Sequence, residues 1–189
     1  KVRDDLSNLH GDGVDALFID MAVKTSKVST ARQSTTEVVD LLEEALERSL
    51  KTRDRKSEAL IRMHIAKNEW LLNHYNRAMK IFKQGWALAN RYGDERLMRS
   101  AMALRMYFSF WQGRYSDVIQ YYENAVSDVE TRPEKGFPQL ATITVGQCYT
   151  YTGKITQGLG MLDAIRQSCR KEGDLHTEAF VVSTLHSAV

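Results

Sequence analysis

Apolar side chains recur in this chain with two periods, one of three to four residues and one of 40. The segments at 73–78, 113–118 and 153–158 (NHYNRA, GRYSDV and GKITQG) begin 113−73 = 40 and 153−113 = 40 residues apart. In register, the shared apolar or small positions are Tyr75, Tyr115 and Ile155, then Ala78, Val118 and Gly158, then Phe82, Tyr122 and Leu162, then Gly85, Ala125 and Ile165. Steps of three, four and three residues place these positions on one face of an α-helix. Each copy is therefore predicted to be one helix of a repeated unit, packed through this face.

A first helix is predicted before each copy, so that the two helices form an antiparallel hairpin. These first helices are predicted at 54–71, 94–111 and 137–151, with another at 174–189. Gly93-Asp94 and Gly173-Asp174 are predicted joints between hairpins, because Gly ends a helix in the left-handed conformation and Asp caps the helix that follows. A fixed period of about 20 to 50 residues is typical of a solenoid, in which each unit is stabilised by its neighbours. The pattern predicts an all-α fold, an α-solenoid of stacked antiparallel hairpins.

The predicted solenoid covers residues 35–189. Its parts, in order, are the second helix of a repeat at 35–51, full repeats at about 54–92, 94–130 and 137–172, and a half repeat at 174–189. The first of these parts continues the shared columns with Val38, Leu42 and Ala45. Residues 1–34 are interpreted as an irregular helix over 14–23 and a loop, or alternatively as a degenerate first-repeat helix. Because the chain begins at Lys1 and ends at Val189 in an apolar run, we expect it to be part of a longer polypeptide.

Composition limits the classes of ligand. Of the 189 residues, 43% are hydrophobic and 26% are charged, which is ordinary for a folded protein. The 26 basic and 24 acidic side chains give a net charge of +2, so nucleic acid is not expected as the principal ligand. No apolar run reaches the roughly 18 to 20 residues of a membrane span, so no membrane partner is expected. Cys148 and Cys169 form no pairing motif, and isolated thiols favour a reducing, cytoplasmic location.

The sequence lacks the motifs of common catalytic and cofactor sites. Gly153-Lys154-Ile155-Thr156 is close to a phosphate-binding loop, but Cys148 stands where that motif needs its first Gly. His64 and His74, like the two histidines near the C-terminus, are ten residues apart and lack the spacing of a helical metal site. We therefore expect a noncatalytic protein without a cofactor or a metal ion.

The repeated columns resemble the tetratricopeptide repeat (TPR), in which a Gly-Asp-Tyr-like turn is followed by Ala and then by an aromatic residue. The resemblance covers residues 36–189 and is carried by Tyr75, Ala78 and Phe82, with Gly146 at the small position of a first helix. The chain departs from the family at its Trp column, Arg62, Met102 and Thr142, and at its Pro column, Asn90, Glu130 and Arg170. The 40-residue period exceeds the family's usual period of about 34. Long repeats with a Gly-Asp joint resemble those of bacterial signalling ATPases and of maltose-regulator-type transcription activators.

This resemblance implies a right-handed superhelix whose first helices line a concave, partner-binding face. The family's ligand-facing positions fall on Met63, Lys67, Trp70, Ala103, Tyr107, Phe110, Trp111, Ile143, Gln147 and Tyr151. This lining is mostly aromatic and apolar, so the implied partner is an amphipathic or extended protein segment, or a neighbouring domain of the same polypeptide. A carboxylate clamp is not expected, because Lys67 is the single cation in the set. The alternative function is an effector-sensing module of a bacterial signalling ATPase or transcription regulator, whose superhelix responds to a small effector or peptide.

Core packing is the competing interpretation for the large side chains of the first helices. Trp70 and Trp111 lie next to turns, where large aromatic residues also fill the gaps between hairpins. Met98, Met102 and Met106, spaced by four residues, are interpreted as gap-filling core. The sequence leaves both roles open for the two tryptophans.

Overall fold

A computed structural model describes residues 12–28, 35–92, 95–127 and 139–187. Within these ranges the chain forms nine α-helices and no β-strand, which confirms the all-α prediction. The helices are α1 (Asp12–Val28), α2 (Thr35–Lys51), α3 (Arg55–Leu71), α4 (Tyr75–Tyr92), α5 (Glu95–Trp111), α6 (Tyr115–Ser127), α7 (Gln139–Tyr151), α8 (Ile155–Glu172) and α9 (Leu175–Ser187). No helix in the described ranges combines the length and the apolar character needed to cross a bilayer.

The helix positions follow the sequence pattern closely. α3, α5 and α7 lie where first helices were predicted, and α4, α6 and α8 carry the shared columns. The N-terminal helix differs, since α1 continues to Val28 where a loop was predicted after residue 23. Ser26 closes this last turn with a hydrogen bond from its hydroxyl to the Val23 carbonyl oxygen, 2.8 Å away. Residues 128–138, where the second predicted repeat ends and the third begins, lie outside the described residues.

The chain divides into two compact units, residues 1–101 and 102–189, and the division falls within α5. In the N-terminal unit, α1, α2 and α3 share a core, whose buried members include Phe18, Ala22, Leu42, Ala45, Ile61 and Ile65. The Arg48 guanidinium lies 4.3 Å from the centre of the Phe18 ring and pairs with Asp15 at 2.7 Å. The core thus includes one cation, which is stabilised by a carboxylate and an aromatic ring.

The C-terminal unit contains two buried clusters. One joins α5, α6 and α7 through residues that include Ala103, Met106, Val118, Tyr122, Val145 and Tyr149. The other joins α7, α8 and α9 through Ile143, Leu162, Ile165, Cys169 and Val181. α7 belongs to both clusters, which explains why most of its described side chains are buried.

The turns within the hairpins repeat with the 40-residue period of the sequence. Asn73, Gly113 and Gly153 have positive φ angles of 64°, 73° and 86°. Each turn closes with a 2.9 Å backbone hydrogen bond from the following N–H to the carbonyl oxygen five residues before it, namely His74 to Glu69, Arg114 to Ser109 and Lys154 to Tyr149. Gly and Asn adopt this left-handed conformation at low cost, which is why they occupy the turn.

The predicted joint at Gly173-Asp174 is confirmed. Gly173 ends α8 in the left-handed conformation, with φ of 74°, and the Asp174 carboxylate accepts a hydrogen bond from the Thr177 N–H at 3.0 Å. Gly93 and Asp94, the other predicted joint, lie outside the described residues. The observed joint terminates one helix and caps the next within two residues.

Two of the shared columns are buried throughout. They are Ala78, Val118 and Gly158, and Phe82, Tyr122 and Leu162. The first column differs, because Tyr75 is 48% exposed and Ile155 is 52% exposed. Both residues begin a helix beside a turn, so only part of each side chain is covered. The fourth column is buried at Gly85 and Ile165 and half-buried at Ala125, so the sequence pattern predicts the packed face best at its two middle positions.

Candidate partner-binding surface

The residues predicted to contact a partner differ in exposure, and the difference follows helix geometry. In α3, Met63, Lys67 and Leu71 are buried, half-buried and exposed in turn. The same order repeats in α5 with Ala103, Tyr107 and Trp111, and in α7 with Ile143, Gln147 and Tyr151. Four residues turn an α-helix by a full circle and about 40° more. Each step of four residues therefore rotates the side chain further from the core.

The buried end of this series belongs to the core. Met63, Ala103 and Ile143 are only 4%, 4% and 2% exposed. Met63 lies against α4 of its own hairpin, where a Cβ added to Gly85 would stand 3.5 Å from the Met63 Cγ. These three residues present almost no surface, so the predicted partner contacts must be corrected at these positions.

Lys67, Tyr107 and Gln147 are half-buried and form the middle of the series. Burial lowers the pKa of the Lys67 ammonium, because the charged form loses hydration. Burial likewise raises the pKa of the Tyr107 hydroxyl, and a hydrogen bond with Trp111 opposes part of this effect. The Tyr107 hydroxyl therefore stays protonated at neutral pH, and both side chains can donate hydrogen bonds to a partner.

An aromatic cluster surrounds the exposed end of the series in the C-terminal unit. The aromatic cluster consists of Tyr107, Phe110, Trp111, Tyr115 and Tyr151. The ring centre of Phe110 lies 5.5 Å from that of Trp111, 5.6 Å from that of Tyr115 and 6.0 Å from that of Tyr151. The Tyr115 and Tyr151 rings are 5.3 Å apart, and Tyr107 lies 6.2 Å from Trp111. Trp111 is 60% exposed and Tyr151 is 51% exposed, so the cluster has a broad accessible side.

The local sequence explains how these five rings meet. Spacings of three and four residues place Tyr107, Phe110 and Trp111 on neighbouring faces at the end of α5. The left-handed Gly113 reverses the chain, so that Tyr115 at the start of α6 returns to Phe110. α7 packs in the same core and ends at Tyr151, which stacks on Phe110 with 24° between the ring planes. Each ring contacts at least one other, which limits the rotamers that the exposed rings can adopt.

The equivalent turn of the N-terminal unit buries its tryptophan. Trp70 is 9% exposed and lies edge-on to Tyr75, with ring centres 4.7 Å apart. Leu71 replaces the exposed aromatic residue and is 44% exposed. Of the two roles left open for the tryptophans, Trp70 thus fits core packing and Trp111 fits an accessible surface. Among the methionines, Met106 is fully buried.

Sequence analysis missed two kinds of residue at this surface. Tyr115 was predicted as a core position, although its place at the first residue of a helix is a signal of partial exposure. Arg114 and Lys154 were not among the predicted partner-binding residues. Both are exposed, and they stand 40 residues apart, beside Tyr115 and Ile155.

Metal-binding groups and reactive thiols are two features that a catalytic site can use. Within 12–28, 35–92, 95–127 and 139–187, no three His, Cys, Asp or Glu side chains form a group that could hold a metal ion. Cys148 is fully buried, and burial raises the pKa of its thiol to about 12. Burial is also the main reason for the raised pKa of Cys169. Both thiols therefore stay protonated at neutral pH and are poor nucleophiles.

Models of known protein families and the sequences of curated proteins give no match to this chain. The main feature of the described surface is the exposed aromatic cluster beside two turns.

Proposed function

We propose that this chain is a noncatalytic module that binds a segment of another protein through the aromatic cluster. The observation that carries the proposal is the exposure of Trp111 and Tyr151, at 60% and 51%, on top of the half-buried Phe110. Trp and Tyr are the residues most enriched at binding hot spots, where a rigid ring contributes a large contact area at low entropic cost. The ring contacts within the cluster support this role, because they preorganise the surface.

The exposed rings can contribute a useful share of the binding energy. An aromatic side chain buries about 150 to 250 Å², so covering the exposed half of both rings removes about 200 Å² from water. At about 25 cal/mol per Å², this area is worth about 5 kcal/mol before the cost of association. The half-buried Tyr107 and Gln147 lie next to the exposed residues along their helices and would add polar contacts. A partner segment of moderate affinity fits this surface.

We further propose a right-handed α-solenoid of the tetratricopeptide type. Two observations support this architecture, namely the hairpin turn that repeats every 40 residues and the burial gradient shared by the three helices. The reduced thiols Cys148 and Cys169 support a cytoplasmic setting.

The double variant Trp111→Ala/Tyr151→Ala is expected to bind the partner at least tenfold more weakly. Removing both exposed rings deletes the proposed hot spot, and losses of about 2 kcal/mol per hot-spot residue are typical. The partner is first captured from lysate of the source cell with the wild-type chain. Its affinity for the wild-type and variant chains is then measured by calorimetry.

The matched control is Phe180→Ala on α9, because Phe180 is also an exposed aromatic residue, at 48%. This control is expected to retain wild-type affinity. Equal affinities for the wild-type chain and the double variant would contradict the proposal. A circular dichroism spectrum of each variant shows whether the helical content is unchanged.

A further inference from the structure

We propose that the partner segment is acidic, and that its carboxylates pair with Arg114 and Lys154 while an apolar side chain packs on the aromatic cluster. This inference rests on the proposed function and assigns the chemistry of its ligand. It depends on the charges that surround Trp111 and Tyr151.

Two turns lie side by side at this surface. The turn at 111–115 and the turn at 151–155 are joined by the contact between Tyr115 and Tyr151, whose ring centres are 5.3 Å apart. Each turn segment carries a single charged residue, and both charges are positive, on Arg114 and Lys154. Each cation therefore lies three residues after an exposed ring along the chain, Arg114 after Trp111 and Lys154 after Tyr151.

The acidic groups near these cations leave them available. The Arg114 Nε lies 4.0 Å from the Asp117 carboxylate, at the outer limit of an ion pair, and both side chains are about half exposed. Arg114 also donates a hydrogen bond to the Ser109 hydroxyl at 3.3 Å. The Lys154 ammonium lies 5.3 Å from the centre of the Tyr149 ring, whose hydroxyl donates to the Glu123 carboxylate at 2.9 Å. An exposed, long ion pair is weak, so a partner carboxylate can replace or share it.

The arrangement favours an acidic peptide over a nucleic acid. Arg114 and Lys154 can neutralise only two phosphates, whereas binding of a nucleic acid depends on several such contacts. One face of the Tyr151 ring already stacks on Phe110, which reduces the surface left for a base. A peptide needs only one apolar side chain with carboxylates near it, and this matches the size of the surface.

Selection of peptides from a random phage-displayed library of about twelve residues tests this inference. Peptides selected on the wild-type chain are expected to be rich in Asp and Glu and to contain a large apolar residue. The strongest peptide, labelled with a fluorophore, is then titrated by anisotropy against the wild-type chain and Arg114→Gln/Lys154→Gln. Loss of two exposed ion pairs predicts a dissociation constant about 3- to 30-fold higher, and a smaller difference between the proteins at higher salt.

Lys171→Gln is the matched control, because Lys171 is an exposed lysine at the other end of α8, about 25 Å from Lys154 along the helix. It is expected to leave the affinity unchanged. Either of two results would overturn the proposal of an acidic ligand. The selected peptides could be neutral or basic, or their dissociation constants for Arg114→Gln/Lys154→Gln could lie within twofold of those for the wild-type chain. If these peptides still lose affinity with Trp111→Ala/Tyr151→Ala, the proposed function stands without it.

Two other outcomes have separate meanings. Failure to enrich any peptide above a selection without protein would overturn the proposed function together with this inference. The second outcome is that a labelled oligothymidylate binds more tightly than any selected peptide and loses this binding in Arg114→Gln/Lys154→Gln. This result would identify a nucleic-acid surface and overturn the proposal of an acidic peptide ligand.

Discussion

Phe82→Ala is expected to lower the free energy of unfolding by about 3 to 5 kcal/mol. Phe82 is 6% exposed in α4, and its ring centre lies 5.8 Å from that of Trp86. Truncation removes most of the buried side chain and leaves a cavity, because the surrounding helices can relax only in part. Urea denaturation of the wild-type and variant chains measures the difference.

Lys83→Ala provides the control, since Lys83 is the next residue of the same helix and is exposed. A substitution there is expected to change stability by no more than about 0.5 kcal/mol. A loss below about 1 kcal/mol for Phe82→Ala would mean that this position is not core, and the 40-residue register of the repeats would then be wrong.

Gly158→Ala is expected to destabilise the chain by about 1 to 2 kcal/mol. A Cβ at this position would stand 2.6 Å from the Gly146 carbonyl oxygen and 2.6 Å from the Thr150 Cγ2, so α7 and α8 would have to separate. Overpacking of this kind commonly costs about 1 to 3 kcal/mol, and the first of these atoms belongs to the backbone. Ala has a better helix propensity than Gly, and this offsets the steric cost by up to about 1 kcal/mol.

Gly160→Ala is a control of opposite sign, two residues further along α8. Nothing lies within 4 Å of a Cβ added there, and Gly160 is exposed. This substitution is expected to stabilise the chain by about 0.5 to 1 kcal/mol through helix propensity alone. If thermal or urea unfolding gave the two variants the same sign and size, the close contact of α7 with α8 would be refuted.

Much of the helical structure could be predicted because its causes are local. A three- to four-residue period gave the packed faces of α4 and α8, and Gly173-Asp174 gave the joint after α8. Gly146 was predicted to be a small position of a first helix, and a Cβ there would stand 2.9 Å from the Leu162 Cγ. The length of α1 was missed, since the polar side chains of 24–28 resemble a loop.

The surface was less predictable because exposure depends on neighbouring helices. The family resemblance assigned Ala103, Tyr107 and Trp111 to one face, yet a rotation of about 40° per step makes the first buried and the last exposed. Contact between Tyr115 and Tyr151 could not be predicted, because it depends on how α5, α6 and α7 pack. The sequence therefore predicted most rings of the aromatic cluster as partner-binding residues, but not which of these rings are exposed.

Site-specific photo-crosslinking tests most directly whether the aromatic cluster binds a partner. Trp111 is replaced with p-benzoylphenylalanine, which keeps an aromatic side chain at this position, and Phe180 is replaced in a second protein. We predict that irradiation in lysate of the source cell joins one partner to position 111 and not to position 180. Mass spectrometry is expected to find an acidic segment at the crosslink. Absence of a crosslink at position 111, or the same products from both positions, would contradict this prediction.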